Sequence, residues 1–168
     1  MLDILALSVF AGCLIYAAAS DIASLTIPNW LSIALAAAFP PIAFAHGMAP
    51  GDIGLHMAFG VAVLAVGFFL FAANIIGGGD AKLLAAAAAW TGFTGFPTFI
   101  VWTAVAGGVL ALGLLGARAL VKQAEAQPAF VSRLLKHKGG VPYGVAIMAG
   151  GLMSLTALPF GFAALTMP

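Results

Sequence analysis

Long apolar stretches separated by short polar or glycine-rich breaks dominate this chain of 168 residues. A helix that crosses a bilayer needs about 20 mostly apolar residues. The breaks leave six apolar segments, and we expect each to form a helix: residues 2–20, 28–45, 53–76, 81–93, 97–120 and 141–166. The pattern predicts an all-α, polytopic membrane protein with about six transmembrane helices, in a single domain over residues 1–168.

Proline and glycine indicate where these helices begin and end. Pro28 suits the first turn of the second helix, where its missing N–H is not needed. The run Gly77-Gly78-Gly79 disfavours helix, so we expect the third helix to end there. The fourth segment is continuously apolar only over Leu83–Trp90. Its pattern leaves open whether it crosses the membrane completely.

Composition excludes several classes of protein. Hydrophobic residues make up 64% of the chain and charged residues 7%, whereas soluble domains carry about 25% charged residues. The net charge of +1 gives no electrostatic basis for binding nucleic acid. Cys13 is the only cysteine, which excludes an internal disulfide and a cysteine-based zinc cluster. Partners are therefore expected among membrane lipids and membrane-edge proteins, and the oligomeric state is left open.

Basic residues predict the orientation. Five of the six lie at the end of the fifth segment or in the loop between it and the sixth: Arg118, Lys122, Arg133, Lys136 and Lys138. Positive charge is retained on the cytoplasmic side, so we expect this loop to be cytoplasmic. Counting six crossings from the loop then places Asp21, Asp80 and Lys82 on the cytoplasmic side and both termini outside. Losing the fourth crossing would place the aspartates opposite the basic loop, but still on one face. Within the loop, residues 130–135 fit a short interfacial helix or a solvated connector equally well.

Two of the five acidic residues, Asp21 and Asp80, fall beside helix breaks at this shared face. Asp21 follows a long apolar helix, where the helix dipole disfavours a carboxylate by about 0.3–1 kcal/mol. Asp80 taken alone is a good N-cap for the fourth helix. Ionisable residues at the membrane are costly and usually functional. As a pair they are candidate catalytic residues.

Two neighbouring carboxylates would share one proton and so supply a base and an acid together. The ionised group could activate a water that attacks a peptide carbonyl, while the protonated group donates a proton, with no metal required. Gly77, Gly78 and Gly79 would let a substrate backbone approach Asp80. Lys82 is interpreted as a membrane anchor or as a partner of a carboxylate, with the anchor favoured.

Histidines offer little support for metal chemistry. His46 and His56 flank the loop around Asp52, but they form no convincing set of three ligands. We therefore expect neither a metal nor another cofactor.

The segment Gly77-Gly78-Gly79-Asp80 fits the GxGD signature of membrane-embedded aspartyl peptidases. Together with Asp21, Ile27-Pro28-Asn29 and Pro142-Tyr143-Gly144, it makes nearly the whole chain resemble the type IV prepilin peptidases. This resemblance implies that Asp21 and Asp80 are the catalytic pair, supported by Gly77–Gly79 and Lys82. It also implies that pilin-like precursors are cut at the cytoplasmic face of the bacterial inner membrane.

Longer members of that family carry an N-terminal cytoplasmic region with paired cysteines and also methylate the new N-terminus. The sequence shows no such region, so it resembles the short, peptidase-only branch associated with Flp, or tight-adherence, pili. Neither S-adenosylmethionine nor zinc is implied. Two alternatives stay open: a small proton-coupled transporter and a noncatalytic pilus assembly factor.

Overall fold

The computed structural model describes residues 1–120 and 140–159, and all regular structure in this part of the chain is helical. It contains α1 (Leu2–Ser24), α2 (Asn29–Ala45), α3 (Pro50–Ala72), α4 (Gly78–Leu120) and α5 (Tyr143–Met153), followed by a 3-10 turn at Leu155–Ala157. The predicted all-α class is confirmed. The fourth and fifth predicted segments form one assigned helix, α4, so the described residues hold five α-helices rather than six.

A break at Gly92 divides α4 into a first half, Gly78–Thr91, and a second half, Phe93–Leu120. Gly92 has φ 61° and ψ −176°, a conformation that is essentially restricted to glycine. The imidazole of His56 fills the space that a side chain at position 92 would need. His56 Nδ1 also donates a 2.8 Å hydrogen bond to the Ala89 carbonyl, one turn before the break.

The first half of α4 packs against α3 through small residues. A Cβ added to Gly67 would lie 3.0 Å from the Ala81 Cβ, and one added to Gly60 would lie 3.0 Å from the Ala89 Cβ. Residue numbers rise along α4 as they fall along α3, so the two segments are antiparallel. Small residues at such contacts let helix backbones approach closely.

The second half of α4 turns back along α5. Gly95 lies against Ala157, and Gly107 lies against Tyr143 at the start of α5. The start of α5 in turn contacts Asp21 near the end of α1. The chain therefore reverses direction at Gly92 and returns to the end of the bundle where α4 began. We call this the Asp21 end.

The core extends along the bundle from Ile27 and Leu83 to Trp90, which lies toward the end opposite Asp21. Its side chain is fully buried, with ring centroids 5.4 Å from Phe10 and 5.7 Å from Phe39. The indole N–H donates a 2.8 Å hydrogen bond to the Leu35 carbonyl. The polar edge of a buried indole needs such a partner, so Trp90 fixes α1, α2 and α4 relative to one another.

Within residues 1–120 and 140–159, three helices are long and apolar enough to cross a membrane: Leu2–Ser24, Pro50–Ala72 and the broken segment Gly78–Ala119. At 1.5 Å per residue, α2 is about 25 Å long and α5 about 16 Å, against a hydrocarbon core of about 30 Å. The first half of α4 is likewise only about 20 Å long. Six transmembrane spans are therefore not confirmed.

The predicted helix ends beside the aspartates are wrong. We predicted that the first helix ends at residue 20, but α1 continues to Ser24. Leu25 ends it in the left-handed conformation, φ 54°, and its N–H donates to the Asp21 carbonyl at 2.7 Å. Asp21 consequently lies inside the last turn of α1 rather than after it.

The boundary between the third and fourth helices also differs from the prediction. α3 ends at Ala72 rather than residue 76, and Asn74 adopts φ 57° in the turn that follows. α4 begins at Gly78, with the Ala81 N–H donating to the Gly77 carbonyl at 3.0 Å. Asp80 therefore lies in the first helical turn and is not the N-cap.

Other predictions fall partly or wholly on residues 121–139 and 160–168, outside the described part of the chain. These include Lys122, Arg133, Lys136 and Lys138, the possible interfacial helix, and the end of the sixth predicted segment. Within the described residues, that segment is helical only to Met153. Arg118 donates a 3.1 Å hydrogen bond to the Gly140 carbonyl, and Gly140 lies beside Leu25. Arg118 is therefore at the Asp21 end.

Candidate active site

Asp21 is held between the end of α1 and the start of α5. Only 5% of the residue is exposed, and its Oδ2 accepts a 2.7 Å hydrogen bond from the Gly144 N–H. A Cβ added to Gly144 would lie 3.0 Å from both the Cβ and the Oδ2 of Asp21. Glycine thus allows the N-terminus of α5, where helix N–H groups favour an anion, to reach the carboxylate.

Asp80 is held by the turn that precedes α4. Its carboxylate accepts a hydrogen bond from the backbone N–H of Gly77. A Cβ added to Gly77 would lie 2.6 Å from Asp80 Oδ2, closer than the carboxylate could tolerate without moving. The side chain also sits in the first turn of α4, where a negative charge interacts favourably with the helix dipole.

The two carboxylates line one pocket, which we call the aspartate pocket. Its volume is about 260 Å³, and its lining residues are Asp21, Leu25, Thr26, Ile27, Asn29, Gly77, Gly78, Gly79 and Asp80. The two carboxylates are close enough to interact electrostatically. The structure therefore brings together the two residues that the sequence singled out, and adds the turn between α1 and α2 as the opposite wall.

Gly78 and Gly79 give this pocket its close packing. A Cβ added to Gly79 would lie 3.1 Å from the Ile27 Cβ, and one added to Gly78 would lie 3.3 Å from the Phe71 ring. Neither glycine has a positive φ among the described residues. Here glycine is explained by the close approach of neighbouring segments and not by a backbone conformation that only glycine adopts.

The sequence model of the type IV leader peptidase family matches residues 8–112. This match covers more than half of the chain and includes both aspartates. The chain belongs to the type IV leader peptidase family. It is therefore a membrane protein of a family of proteases, as the prepilin peptidase resemblance predicted. Neither the search of curated proteins nor that of solved structures found a match.

The family match ends before α5, and so does not include Gly144. The contact between Gly144 and Asp21 comes from the structure alone. Pro142-Tyr143-Gly144 is part of the prepilin peptidase resemblance, which gave this segment no role. A glycine near the start of a helix gave no signal of its distant partner, because the hydrogen bond joins residues 123 positions apart.

Lys82 lies at the edge of the aspartate pocket. Its Nζ donates a 2.8 Å hydrogen bond to Asn29 Oδ1, and Asn29 lines the pocket. The sequence favoured a membrane anchor for Lys82 and gave no sign of this pairing, which links the first turn of α2 to the second turn of α4. Since the pair uses the amide oxygen, Asn29 keeps its two amide hydrogens available for another acceptor.

The described histidines lie away from the aspartate pocket. His46 Nε2 is 3.1 Å from Asp3 Oδ1 at the opposite end of the bundle, and His56 stacks on Phe39 at a centroid distance of 5.1 Å. Within residues 1–120 and 140–159, no three His, Cys, Asp or Glu side chains group as metal ligands would. The polar groups of the residues that line the aspartate pocket are two carboxylates, backbone amides, the Asn29 amide and the Thr26 hydroxyl.

Proposed function

We propose that this protein is an aspartyl endopeptidase of the membrane that removes the leader peptide from pilin-like precursors. The observation that carries this proposal is the shared pocket of Asp21 and Asp80, each held by a backbone N–H. Membership of the type IV leader peptidase family supports a protease that acts on such precursors. The aspartic mechanism and the identity of the precursor are our inference from the pocket and the resemblance.

In the proposed mechanism the two carboxylates share one proton, because two like charges in one pocket do not both ionise readily. The ionised carboxylate takes a proton from a water whose oxygen bonds to the carbonyl carbon of the scissile peptide. The protonated carboxylate donates its proton to the carbonyl oxygen. When the C–N bond breaks, the carboxyl proton passes to the leaving nitrogen. At the same time the other carboxylate takes a proton from a hydroxyl of the tetrahedral intermediate as the product carbonyl forms, so the pair again holds one proton.

The neighbouring groups would hold the substrate. Gly77, Gly78 and Gly79 present backbone without side chains along one wall of the pocket, so an extended peptide could approach Asp80 closely. The amide of Asn29 lies on the same pocket and could bind a substrate carbonyl. Gly77–Gly79 and Lys82 are thus proposed to support the site, Lys82 acting by fixing Asn29.

We propose that the protein lies in the bacterial inner membrane, with the aspartate pocket at the cytoplasmic face and the N-terminus outside. Arg118 and Lys82 lie at the same end of the bundle as the aspartates, and basic residues favour the cytoplasmic side. The resemblance to the short branch points to precursors of Flp, or tight-adherence, pili. No cofactor is needed for this chemistry.

Reconstitution in liposomes with candidate Flp-type precursors tests the proposal. We expect the precursor to be shortened at one bond, with the new N-terminus identified by mass spectrometry. Shortening must disappear in Asp80→Asn protein that inserts normally. Binding without cleavage would instead favour an assembly factor, and proton-dependent solute uptake without cleavage would favour a transporter.

A further inference from the structure

A second concave surface opens on the side of the bundle between α2, α3 and the first half of α4. We call it the lateral groove. Its volume is about 410 Å³, and its lining residues are Asn29, Ser32, Ile33, Ala36, Met57, Gly60, Val61, Leu64, Lys82, Ala85, Ala86 and Ala89. Apart from Asn29, Ser32 and Lys82, these side chains are apolar. Such a surface suits an apolar chain lying alongside the helices.

The groove exists because α2 and α3 diverge although they are consecutive in the chain. α3 packs mainly on α4, whereas α2 packs on α1 and α4. Few contacts join α2 directly to α3. The floor between them is formed by Ala85, Ala86 and Ala89 of α4. Small side chains there leave space that larger ones would fill, and let another backbone come close.

Ser32 is an unexplained polar group on this groove. The residue is only 5% exposed, and its hydroxyl has no hydrogen-bond partner among the described residues. A buried hydroxyl without a partner costs about 1–3 kcal/mol. The hydroxyl oxygen is covered in the empty groove, so the Ser32 side chain would rotate toward the groove to meet a polar group of an occupant. A lipid acyl chain has no such group to offer.

The lateral groove and the aspartate pocket meet at Asn29. Asn29 lines both surfaces, and Lys82, which donates to Asn29, lines the groove. A single polypeptide could therefore lie in the groove and reach the two carboxylates without leaving the protein surface. By contrast, the concave surface beside His56 and Phe93 shares no lining residue with the aspartate pocket.

We propose that the precursor carries an apolar membrane segment adjacent to the bond cut in the aspartate pocket, and that the lateral groove docks this segment. This inference rests on the proposed function and assigns a place to its substrate. The segment enters from the lipid between α2 and α3, packs on the alanine floor of α4, and supplies a polar partner to Ser32. The Asn29–Lys82 pair marks the point where the precursor passes from the groove to the site.

Photo-cross-linking tests the position of the precursor. A photoreactive residue replaces Ile33, which lines the groove and is 67% exposed. The protein also carries Asp80→Asn, and it is reconstituted in liposomes with a precursor that the wild-type protein cleaves. The matched control carries the same residue at Ala34, exposed on α2 but outside the groove. We expect cross-links to the precursor from position 33 and at most traces from position 34. Cross-links to lipid alone from position 33 would overturn the proposal.

Filling the groove tests its importance for cleavage. Ala36→Trp and Val61→Trp each place a large side chain in the groove, and Ala37→Trp and Val66→Trp place it on neighbouring exposed positions outside it. For the full precursor, we expect the groove variants to lose about tenfold in kcat/KM, equivalent to about 1.4 kcal/mol, mainly through KM. Cleavage of a short peptide that spans the scissile bond but lacks the apolar segment should be unchanged in all four variants.

The outcomes separate the two proposals. If both groove variants cleave the full precursor as well as their controls do, the docking proposal is wrong while the proposed function stands. The same conclusion follows if the short peptide loses as much as the full precursor, because the substitutions then damage the site itself. If the wild-type protein cleaves no precursor, the proposed function fails, and the docking proposal fails with it.

Discussion

The N–H of Gly144 donates a 2.7 Å hydrogen bond to Asp21 Oδ2, which joins the start of α5 to the last turn of α1. The C-terminal end of α1 alone would disfavour a carboxylate by about 0.3–1 kcal/mol. The N-terminus of α5, the positive end of that helix dipole, instead stabilises the negative charge of Asp21. An unfavourable position in the sequence is therefore compensated by a helix that follows more than a hundred residues later.

Gly144→Ala should impair cleavage more than it affects folding. The added Cβ would lie 3.0 Å from Asp21 Oδ2, so the carboxylate must shift away from the amide and from its position opposite Asp80. Because small misplacements of catalytic groups are costly, we expect kcat to fall by about tenfold or more, or 1.4 kcal/mol. Precursor cleavage and thermal unfolding in detergent are measured together.

Gly108→Ala is the matched control for this change. Gly108 lies in the second half of α4, and a Cβ added there meets nothing within 4 Å. Alanine should leave cleavage unchanged and raise stability by about 0.5–1 kcal/mol, as expected for glycine in a helix interior. Equal cleavage by Gly144→Ala and Gly108→Ala would show that the contact with Asp21 does not position the carboxylate.

Gly92→Ala should destabilise the protein, because position 92 combines φ 61° with a His56 ring in the path of any side chain. The backbone conformation alone costs about 1–3 kcal/mol for a residue other than glycine. The midpoint of thermal unfolding should therefore fall. Adding His56→Ala should relieve the collision but not the backbone strain, so the double variant should stay less stable than His56→Ala alone. A double variant as stable as His56→Ala would show that the backbone at position 92 is not strained.

The reversal at Gly92 also predicts which positions share a side of the membrane. In a Cys13→Ala background, single cysteines at Ser24, Ala73 and Gly140, all exposed, should react with an impermeant thiol reagent from the cytoplasmic side. A cysteine at Ala49, between α2 and α3, should react from the other side. Labelling of Ala73 and Gly140 from opposite sides would show that α4 does not return across the membrane.

The sequence predicted the features that depend on local composition. Apolar segment length gave the helices, and the rarity of charge drew attention to Asp21 and Asp80. Their presence in one pocket agrees with the prediction that both lie at one face. That prediction required only that two apolar segments separate them, because two crossings return the chain to the face from which it started. Helix ends were less predictable, since Gly78 and Gly79 begin α4 instead of preceding it.

Features that depend on contacts between distant segments were not predictable. The region from Thr91 to Pro97 contains two glycines and a proline, and nothing in the pattern indicates that Gly92 carries the break while Gly95 and Pro97 remain helical. The pairing of Lys82 with Asn29 joins residues 53 positions apart. Such contacts depend on how helices pack, which a hydrophobicity pattern does not specify.

Asp21→Asn and Asp80→Asn should each abolish precursor cleavage while the protein inserts and accumulates normally. Asparagine keeps the size of aspartate and an oxygen that can accept from the Gly144 or Gly77 amide, but it cannot exchange the proton that hydrolysis requires. Loss of a general acid or base typically lowers the reaction rate by about 100-fold to 10,000-fold. We therefore expect the cleavage rate of each single variant to fall by at least about 100-fold. Cleavage is measured in liposomes, and accumulation by immunoblot of the membrane fraction.

Combining the two substitutions distinguishes a catalytic pair from two independent structural residues. Groups that act as a unit in catalysis are strongly non-additive, so the double variant should be little worse than either single variant. Asp3→Asn and Asp52→Asn serve as controls, because Asp3 pairs with His46 and Asp52 lies in the first turn of α3, both at the end of the bundle opposite the pocket. They should retain full activity. Normal cleavage by either Asp21→Asn or Asp80→Asn would rule out the aspartyl mechanism, since asparagine keeps the size and an accepting oxygen of aspartate but cannot transfer the proton that hydrolysis requires.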